Sequence, residues 1–214
     1  MVAPLNEESD PPSLFSNLRR DFARYYAYGQ HLSLIRRIQL FIDTPGLHAI
    51  LVFRYGSWVT RKVRWRVFRY PLALIHWVLQ KFCMMCWGIL IDNGAQIGPG
   101  LYIGHFGGII IGPIRMGRDC NIAHQVTIGL RVDGEGGVPT FGDNVWIGVG
   151  SVIYGNITIG NGVMIGPYTV VSRGLPDRAM VLGNPLRVVS TDYDNYAAIY
   201  GRARAQTSDS NAVT

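Results

Sequence analysis

The stretch Phe141-Gly-Asp-Asn-Val-Trp-Ile147-Gly-Val-Gly-Ser-Val-Ile153-Tyr-Gly-Asn-Ile-Thr-Ile159-Gly-Asn-Gly-Val-Met-Ile165-Gly-Pro-Tyr-Thr-Val-Val171 places a large apolar residue at every sixth position. A glycine follows several of these residues directly, as in Ile147-Gly148. A short strand followed by a tight turn fits each six-residue unit, because glycine tolerates the backbone angles of a corner. Scattered, unrelated strands would not keep this register over consecutive units.

Two further series extend the repeat toward the N-terminus. They comprise Ile110, Met116, Ile122 and Ile128, and, before them, Ile91, Ile97 and Ile103. Three six-residue units close one triangular coil, and stacked coils form parallel sheets with strands about 4.8 Å apart. The sequence therefore predicts a mainly β protein, a left-handed parallel β-helix of hexapeptide repeats with an N-terminal α-helical region.

The repeat is interrupted twice. The step from Ile103 to Ile110 is seven residues, which predicts one extra residue within 105–108. The step from Ile128 to Phe141 is thirteen, and the polar, glycine-rich segment 130–140 is expected to leave the coil as an exposed loop. Additions to a regular solenoid are places where function concentrates.

The chain divides into four predicted parts. Residues 1–13 are expected to be a disordered leader, 14–87 an α-helical region, 88–189 the β-helix domain and 190–214 a C-terminal tail. The apolar segment 71–91 is best interpreted as a buried helix that caps the first coil. A membrane-surface helix is the alternative, with a basic run in 61–69 facing acidic lipid, and a true span is least favoured because His76, Gln80 and Lys81 interrupt it.

Charge and cysteine content bear on partners and location. The net charge of +6 suits an anionic partner but does not by itself choose among nucleic acid, acidic lipid and a phosphorylated cofactor. The polar N-terminal segment lacks the apolar core of a signal peptide. With three cysteines, Cys83, Cys86 and Cys120, this favours a cytoplasmic location, with contact at the inner face of the membrane as an option. The Cys83–Cys86 pair is interpreted as core packing.

Two histidines lie within the repeat. His105 and His124 each follow a key residue by two places, three units apart, so they are expected at the same corner of adjacent coils. If the loop replaces one six-residue unit, Asp143 falls in the same column, one coil further on. Two imidazoles and a carboxylate on neighbouring coils would suit acid–base chemistry, although corner residues can also be plain surface.

The residues around these histidines resemble one family. The segments Gly100-Leu-Tyr-Ile-Gly-His-Phe-Gly-Gly-Ile109 and Cys120-Asn-Ile-Ala-His-Gln-Val-Thr-Ile-Gly129, the loop, and the ending Gly183-Asn-Pro-Leu-Arg187 resemble the serine acetyltransferases. The resemblance covers about 88–189. It implies homotrimers with acetyl-CoA as co-substrate in a groove between subunits.

The resemblance also implies residue roles. His105 would be the general base, supported by Asp92 or His124. Backbone N–H groups of Gly107 and Gly108 would stabilise the oxyanion, and Asp143 would contact the acceptor. The residues expected to line the acetyl-CoA groove or hold its phosphates are Gly129, Gly148, Gly150, Gly166, Pro167, Arg173 and Arg187.

Several positions depart from the family pattern. The family's second site histidine and its neighbouring arginine correspond to Val138 and Gly137, and two site aspartates correspond to Gly104 and Leu90. Asp92, two places beyond Leu90, is expected to lie on the same side of the strand and to replace the lost carboxylate. Because an amino-acid acceptor needs charged partners, the altered pocket favours a sugar of a surface-polysaccharide precursor over L-serine.

The sequence therefore predicts an acetyl-CoA-dependent O-acetyltransferase, with no metal and no nucleic-acid partner. Two other functions stay open. A non-catalytic trimeric scaffold would explain the altered positions. A zinc enzyme of β-helical carbonic anhydrase type needs three convergent histidines, and the repeat supplies only His105 and His124.

Overall fold

The structure, a computed structural model, describes residues 14–26, 33–130, 136–195 and 197–198. Four helices precede the strands: α1 (Leu14–Tyr26), α2 (Leu34–Ile42), α3 (Pro45–Lys62) and α4 (Arg66–Trp87). The strands are β1 (Ile89–Ile91), β2 (Gln96–Ile97), β3 (Tyr102–Ile103), β4 (Ile109–Ile111), β5 (Arg115–Met116), β6 (Asn121–Ile122), β7 (Thr127–Gly129), β8 (Thr140–Phe141), β9 (Trp146–Ile147), β10 (Val152–Tyr154), β11 (Thr158–Ile159), β12 (Met164–Ile165), β13 (Val170–Val171), β14 (Met180–Leu182) and β15 (Arg187–Ser190).

The strands form the three faces of a parallel β-helix. Sheet A runs β1-β4-β7-β10-β13, sheet B runs β2-β5-β8-β11, and sheet C runs β3-β6-β9-β12-β14-β15. Every named pair is parallel except β14 with β15, which is antiparallel. The chain visits the three sheets in turn, and this confirms the predicted β-helix with N-terminal helices.

The predicted inward residues fill the core, with one exception. All six key residues of the stretch 141–171 are buried. In the second series Ile110 is 50% exposed, whereas Ile109 and Ile111 are buried. Side chains alternate along a strand, so Ile111 is the inward residue of β4. The turn after Ile103 therefore holds two extra residues, and the next unit, Ile111 to Met116, is one residue short.

The loop before Phe141 also differs from its predicted place. Ile128 lies in sheet A and Phe141 in sheet B, where it pairs with Met116. These are consecutive sheets of one coil, so the thirteen-residue step is one ordinary unit with seven added residues. Residues 131–135 of the loop, the leader 1–13 and most of the tail lie outside the described residues.

The open end of the first coil is covered mainly by α3 and α1, whereas most of α4 is exposed. Leu47 and Ile50 of α3 are fully buried in the common core. Gly46 lies so close to β3 that an added Cβ would be 2.3 Å from the carbonyl oxygen of Ile103. The interpretation of 71–91 as a buried cap is therefore wrong: α4 packs against α3 and β1, and only His76 and Cys83 of this helix are buried.

Two polar residues in the middle of α4, His76 and Gln80, face inward. Gln80 donates from Nε2 to the carbonyl of Ile91, 3.0 Å away, and the imidazole of His76 packs against Gly56 of α3. The residues between them are largely exposed and apolar. Within the part of the chain that the structure describes, none of the helices combines the length and hydropathy needed to cross a bilayer.

The two cysteines of α4 have different environments. Cys83 is buried, as core packing predicts, and Cys86 is exposed. Burial raises the pKa of the Cys83 thiol to about 11 and that of Cys120 in the core to about 12. A thiol with so high a pKa stays protonated at neutral pH and is a poor nucleophile or metal ligand.

Candidate active site

The two repeat histidines lie on one edge of the β-helix, between sheets C and A. Ile103 of β3 pairs in register with Ile122 of β6, and each histidine lies two residues after the last residue of its own strand. The rings of His105 and His124 are 5.7 Å apart between centroids and nearly perpendicular, at 87°. The prediction that these side chains share a corner of adjacent coils agrees with this geometry.

The two imidazoles differ in their surroundings. His105 is exposed, so its ring is open to an incoming substrate. His124 is half-buried, and its Nδ1 has no hydrogen-bond partner among the described residues. A buried imidazole nitrogen without a partner is costly, so this atom is available to a group that completes the site.

A pair of glycines shapes the backbone next to His105. Gly107 and Gly108 have φ values of +103° and +67°, in the left-handed region that favours glycine. The backbone N–H of Gln125 donates to the carbonyl of Gly107 at 2.8 Å, which ties this turn to the next coil. An added Cβ on Gly88 would lie 3.1 Å from the amide nitrogen of Gly108, so the end of α4 also abuts the turn.

Gln125 was missed by the sequence analysis. It is exposed and follows His124 directly, and a Cβ on Gly108 would lie 3.3 Å from its Cα and 3.4 Å from its Cγ. Its positive φ of 58° turns the chain at this corner. The sequence could have indicated Gln125, because it is the residue directly after His124. That position places an amide side chain beside the histidine pair.

Asp143 does not lie in the histidine column. It follows β8 at the corner between sheets B and C, because Phe141 pairs with Met116 and Ile159. Its carboxylate accepts from the backbone N–H of Arg118 at 2.8 Å and forms an ion pair with that guanidinium at 3.2 Å. The column prediction was wrong because the loop adds residues within one unit and does not replace a unit of its own.

Asp92 lies at the wrong end of its strand to support His105 within one chain. His105 precedes β4, whose first residue pairs with Ile89, near Gly88. Asp92 follows the other end of β1. Four extended residues separate it from Gly88, which corresponds to about 13 Å along the strand. Its carboxylate accepts from the N–H of Gly94 at 2.7 Å. The expected pairing with His105 is therefore wrong within one chain.

The residues predicted to line a cofactor groove fall on two edges. Gly148, Gly150, Gly166 and Pro167 continue the histidine edge onto the next two coils. The N–H of Gly150 donates to the carbonyl of His124 at 3.1 Å, which links these glycines to the site. Gly129 is the last residue of β7, and the exposed Arg173 lies two residues after β13. Both are therefore at the other edge of sheet A, away from the histidines.

Arg187 ends the series on the histidine edge. It pairs with Leu182 in sheet C, and Leu182 lies against Gly166 on the preceding coil. Five strand steps separate β3 from β15, or about 24 Å at 4.8 Å per step. A cation thus lies at one end of this edge and an exposed histidine at the other.

The two altered loop positions hold no charge. Gly137 has a φ of +149°, and an added Cβ would lie 2.5 Å from Cβ of Asn156, so this turn has no room for a side chain. Val138 is partly buried against the core. The family resemblance implies an arginine at position 137 and a histidine at position 138. In this chain Gly137 makes a close backbone contact instead, and Val138 makes an apolar contact.

A metal centre finds little support in this geometry. Among residues 14–26, 33–130 and 136–195, there is no group of three His, Cys, Asp or Glu side chains that could hold a metal ion. The described residues of this chain therefore do not assemble the three-histidine set that the zinc alternative needs.

Comparison with known proteins identifies the class first. Residues 139–173 match the model described as bacterial transferase hexapeptide (six repeats). Together with the parallel β-helix and the histidine edge, this match places the chain among the hexapeptide-repeat transferases.

The relatives identify the family. The chain is 32% identical over 150 residues to a serine acetyltransferase of Helicobacter pylori, covering 69% of this chain and 83% of that protein. It is 32% identical over 154 residues to the enzyme of the same name from Synechococcus elongatus, covering 71% of this chain and 60% of the relative. The chain belongs to the serine acetyltransferase family, as its sequence predicted.

A solved structure supports the same assignment. The serine acetyltransferase of Neisseria gonorrhoeae in complex with serine superimposes with a TM-score of 0.66 at 26% sequence identity, covering 81% of this chain and 68% of that chain. The relatives described here all bear the serine acetyltransferase name, so the comparisons do not support the sugar preference drawn from the altered pocket.

Proposed function

We propose that this protein transfers the acetyl group of acetyl-CoA to the hydroxyl of a small acceptor, with L-serine as the first candidate. The observation that supports it is the exposed imidazole of His105 beside His124 on one edge of the β-helix, in a chain of the serine acetyltransferase family. The gonococcal relative described in complex with serine supports the choice of acceptor.

His105 acts as the general base. The acceptor oxygen forms a bond to the thioester carbonyl carbon while its proton moves to the imidazole, a group that takes up and releases protons near neutral pH. The tetrahedral intermediate then collapses, the carbon–sulfur bond breaks, and the proton passes to the departing thiolate. The products are the O-acetyl ester and free CoA.

The glycine turn stabilises the intermediate. Backbone N–H groups at Gly107 and Gly108 are held at the corner by the contact of Gly107 with Gln125. Donors fixed before reaction need no reorganisation as negative charge develops on the carbonyl oxygen. The amide side chain of Gln125 lies beside Gly108 and is placed to contact the acceptor.

Acetyl-CoA lies along the histidine edge. Gly148, Gly150, Gly166 and Pro167 supply a surface with few side chains, so an extended pantetheine arm can approach the backbone closely. Arg187 at the far end of the edge attracts the phosphates. Gly129 and Arg173, on the other edge of sheet A, join the same groove only if a second subunit packs there, which suits a homotrimer with sites between subunits.

The decisive experiment measures thiol release from acetyl-CoA with L-serine, and identifies the acetylated product by mass spectrometry. His105→Asn is expected to lower kcat by about 10²–10⁴-fold, the usual contribution of a general base. Gln96→Ala, an exposed substitution on sheet B, is the matched control and should keep full activity. Full activity in His105→Asn would remove the proposed base.

A parallel panel of sugars tests the acceptor separately. The uncharged positions Gly137 and Val138 make this panel informative, because they lie where the family resemblance implies charged groups. Turnover with a sugar but not with L-serine would overturn the acceptor and leave acetyl transfer standing. No turnover with either, together with no binding of CoA in a calorimetric titration, would instead favour a non-catalytic scaffold.

A further inference from the structure

The outer face of α4 is apolar along almost its whole length. Large side chains there are half or more exposed, among them Phe68 at 62%, Leu74 at 63% and Trp77 at 56%. The residues that would make the helix polar do not interrupt this face, because His76 is buried and Gln80 bonds inward to Ile91. From Tyr70 to Trp87 only Lys81 adds a charge to the exposed side.

The charges that flank this face are all of one sign. No Asp or Glu occurs in residues 44–91, which include α3, α4 and the turn between them. The exposed cations of this segment are Arg61, Lys62, Arg64, Arg66, Arg69 and Lys81. All of them except Lys81 cluster around the N-terminal end of α4, beside the exposed indole of Trp65.

We propose that α4 docks this protein on an anionic lipid surface, with the apolar face in the headgroup region and the arginines at 64–69 against the lipid phosphates. The pattern of an exposed apolar face with Trp and Phe, edged by Arg and Lys, is that of a helix lying in a membrane interface. Lys81 reaches the headgroups by extending its side chain past the apolar surface.

Charge complementarity decides between lipid and a second copy of the chain. A contact between two parallel copies of α4 would bring their basic runs together, and an antiparallel contact would set each basic run against the uncharged C-terminal end of the partner helix. In neither arrangement does an acidic residue of 44–91 face the basic run. An anionic bilayer supplies both the apolar interior and the opposite charge. The basic run lies at the opposite end of α4 from the turn beside His105, so this inference stands whether or not the proposed reaction is correct.

Vesicle sedimentation tests the proposal with the full chain. Wild-type protein is expected to bind vesicles of phosphatidylcholine mixed with phosphatidylglycerol, and to be released by high salt, but not to bind phosphatidylcholine alone. The charge-reversal variant Arg64→Glu/Arg66→Glu/Arg69→Glu should lose about a hundredfold in binding or more, since each basic residue near an anionic surface contributes several-fold. Leu74→Gln/Val78→Gln, which keeps good helix formers at exposed positions, should also be released.

The matched control reverses three arginines at the far end of the β-helix. Arg173→Glu/Arg178→Glu/Arg187→Glu changes the net charge equally and should still bind the mixed vesicles. Failure of the wild-type chain to bind anionic vesicles, or equal binding to neutral ones, overturns the proposal. Light scattering gives a second test. If the wild-type chain forms an oligomer that dissociates in Leu74→Gln/Val78→Gln, and neither protein binds vesicles, a second copy covers the face and the proposal is overturned.

Discussion

Asp21 and Arg54 form a buried ion pair that joins the helices to the first coil. Oδ2 of Asp21 lies 2.8 Å from Nε of Arg54, and both side chains are almost completely excluded from solvent. The carboxylate also accepts from the N–H groups of Gly100 and Leu101, and the guanidinium donates to the carbonyls of Ile97 and Gly98. Helices α1 and α3 thereby satisfy backbone groups at the open end of the solenoid.

Breaking this pair should be costly. Burial raises the pKa of the Asp21 carboxyl more than the hydrogen bonds from Arg54 lower it, so desolvation dominates at this site. Asp21→Asn or Arg54→Met leaves a buried charge without its partner and is expected to lower the free energy of unfolding by about 3–5 kcal/mol.

The double variant Asp21→Asn/Arg54→Met removes both charges. Its loss should be clearly smaller than the sum of the single losses, because no uncompensated charge remains. Urea denaturation of the four proteins measures the coupling. Additive losses would mean that the two charges stabilise the fold independently.

The hydroxyl of Tyr25 closes the edge of sheet C. It accepts from the N–H of Ile103 at 2.9 Å and lies 3.1 Å from the carbonyl of the same residue, inside the core. Tyr25→Phe should lower the free energy of unfolding by about 1–3 kcal/mol, because buried backbone groups lose their partner. Tyr70→Phe, at an exposed tyrosine of α4, is the control and should change it by less than about 0.5 kcal/mol. Equal effects in chemical denaturation would remove the edge-closing role.

His76 should make stability depend on pH. Desolvation lowers its pKa below 6.5, so the folded state keeps the imidazole neutral where the unfolded chain already binds a proton. Stability contributed by the neutral form is therefore present above pH 6.5 and falls as the pH drops from that value toward the lowered pKa. Urea midpoints measured across this window should fall less in His76→Leu than in the wild type, whereas the exposed variant His105→Gln should keep the wild-type slope.

His124 is expected to position His105 rather than to touch the acceptor. His124→Asn removes the perpendicular ring 5.7 Å away, and kcat should fall about tenfold, equivalent to roughly 1.4 kcal/mol. The KM for acetyl-CoA and the KM for the acceptor should change little. A rise in either KM with unchanged kcat would assign His124 to substrate binding instead.

The six-residue repeat made most of the fold predictable from the sequence. The places where the repeat is irregular were not predicted correctly. Six consecutive units from Phe141 leave one arrangement that buries every key residue, so the β-helix follows from spacing. Ile109, Ile110 and Ile111 are chemically alike, and only the paired strand determines which side chain points inward. The place of Asp143 depended on how many units the loop replaced, which sequence spacing does not decide.

The helical region was less predictable for a different reason. An apolar run such as 71–91 has no polar stripe to mark its outer face. Its sequence therefore does not distinguish a helix buried over the first coil from a helix with an exposed apolar face. The pairing of Asp21 with Arg54 spans 33 positions and no local pattern announces it. The histidine pair was predictable because both members follow the same repeat position.

The antiparallel strand β15 has a consequence for solubility. A parallel solenoid ends in a row of unpaired backbone groups that could accept another molecule, coil upon coil, into a growing filament. At sheet C, β15 runs against β14 in the opposite direction, with a register irregularity between Met180 and Val181. A strand that breaks both the direction and the spacing of the stack offers a poor template for the next coil, so the same chain that repeats so regularly also limits its own polymerisation.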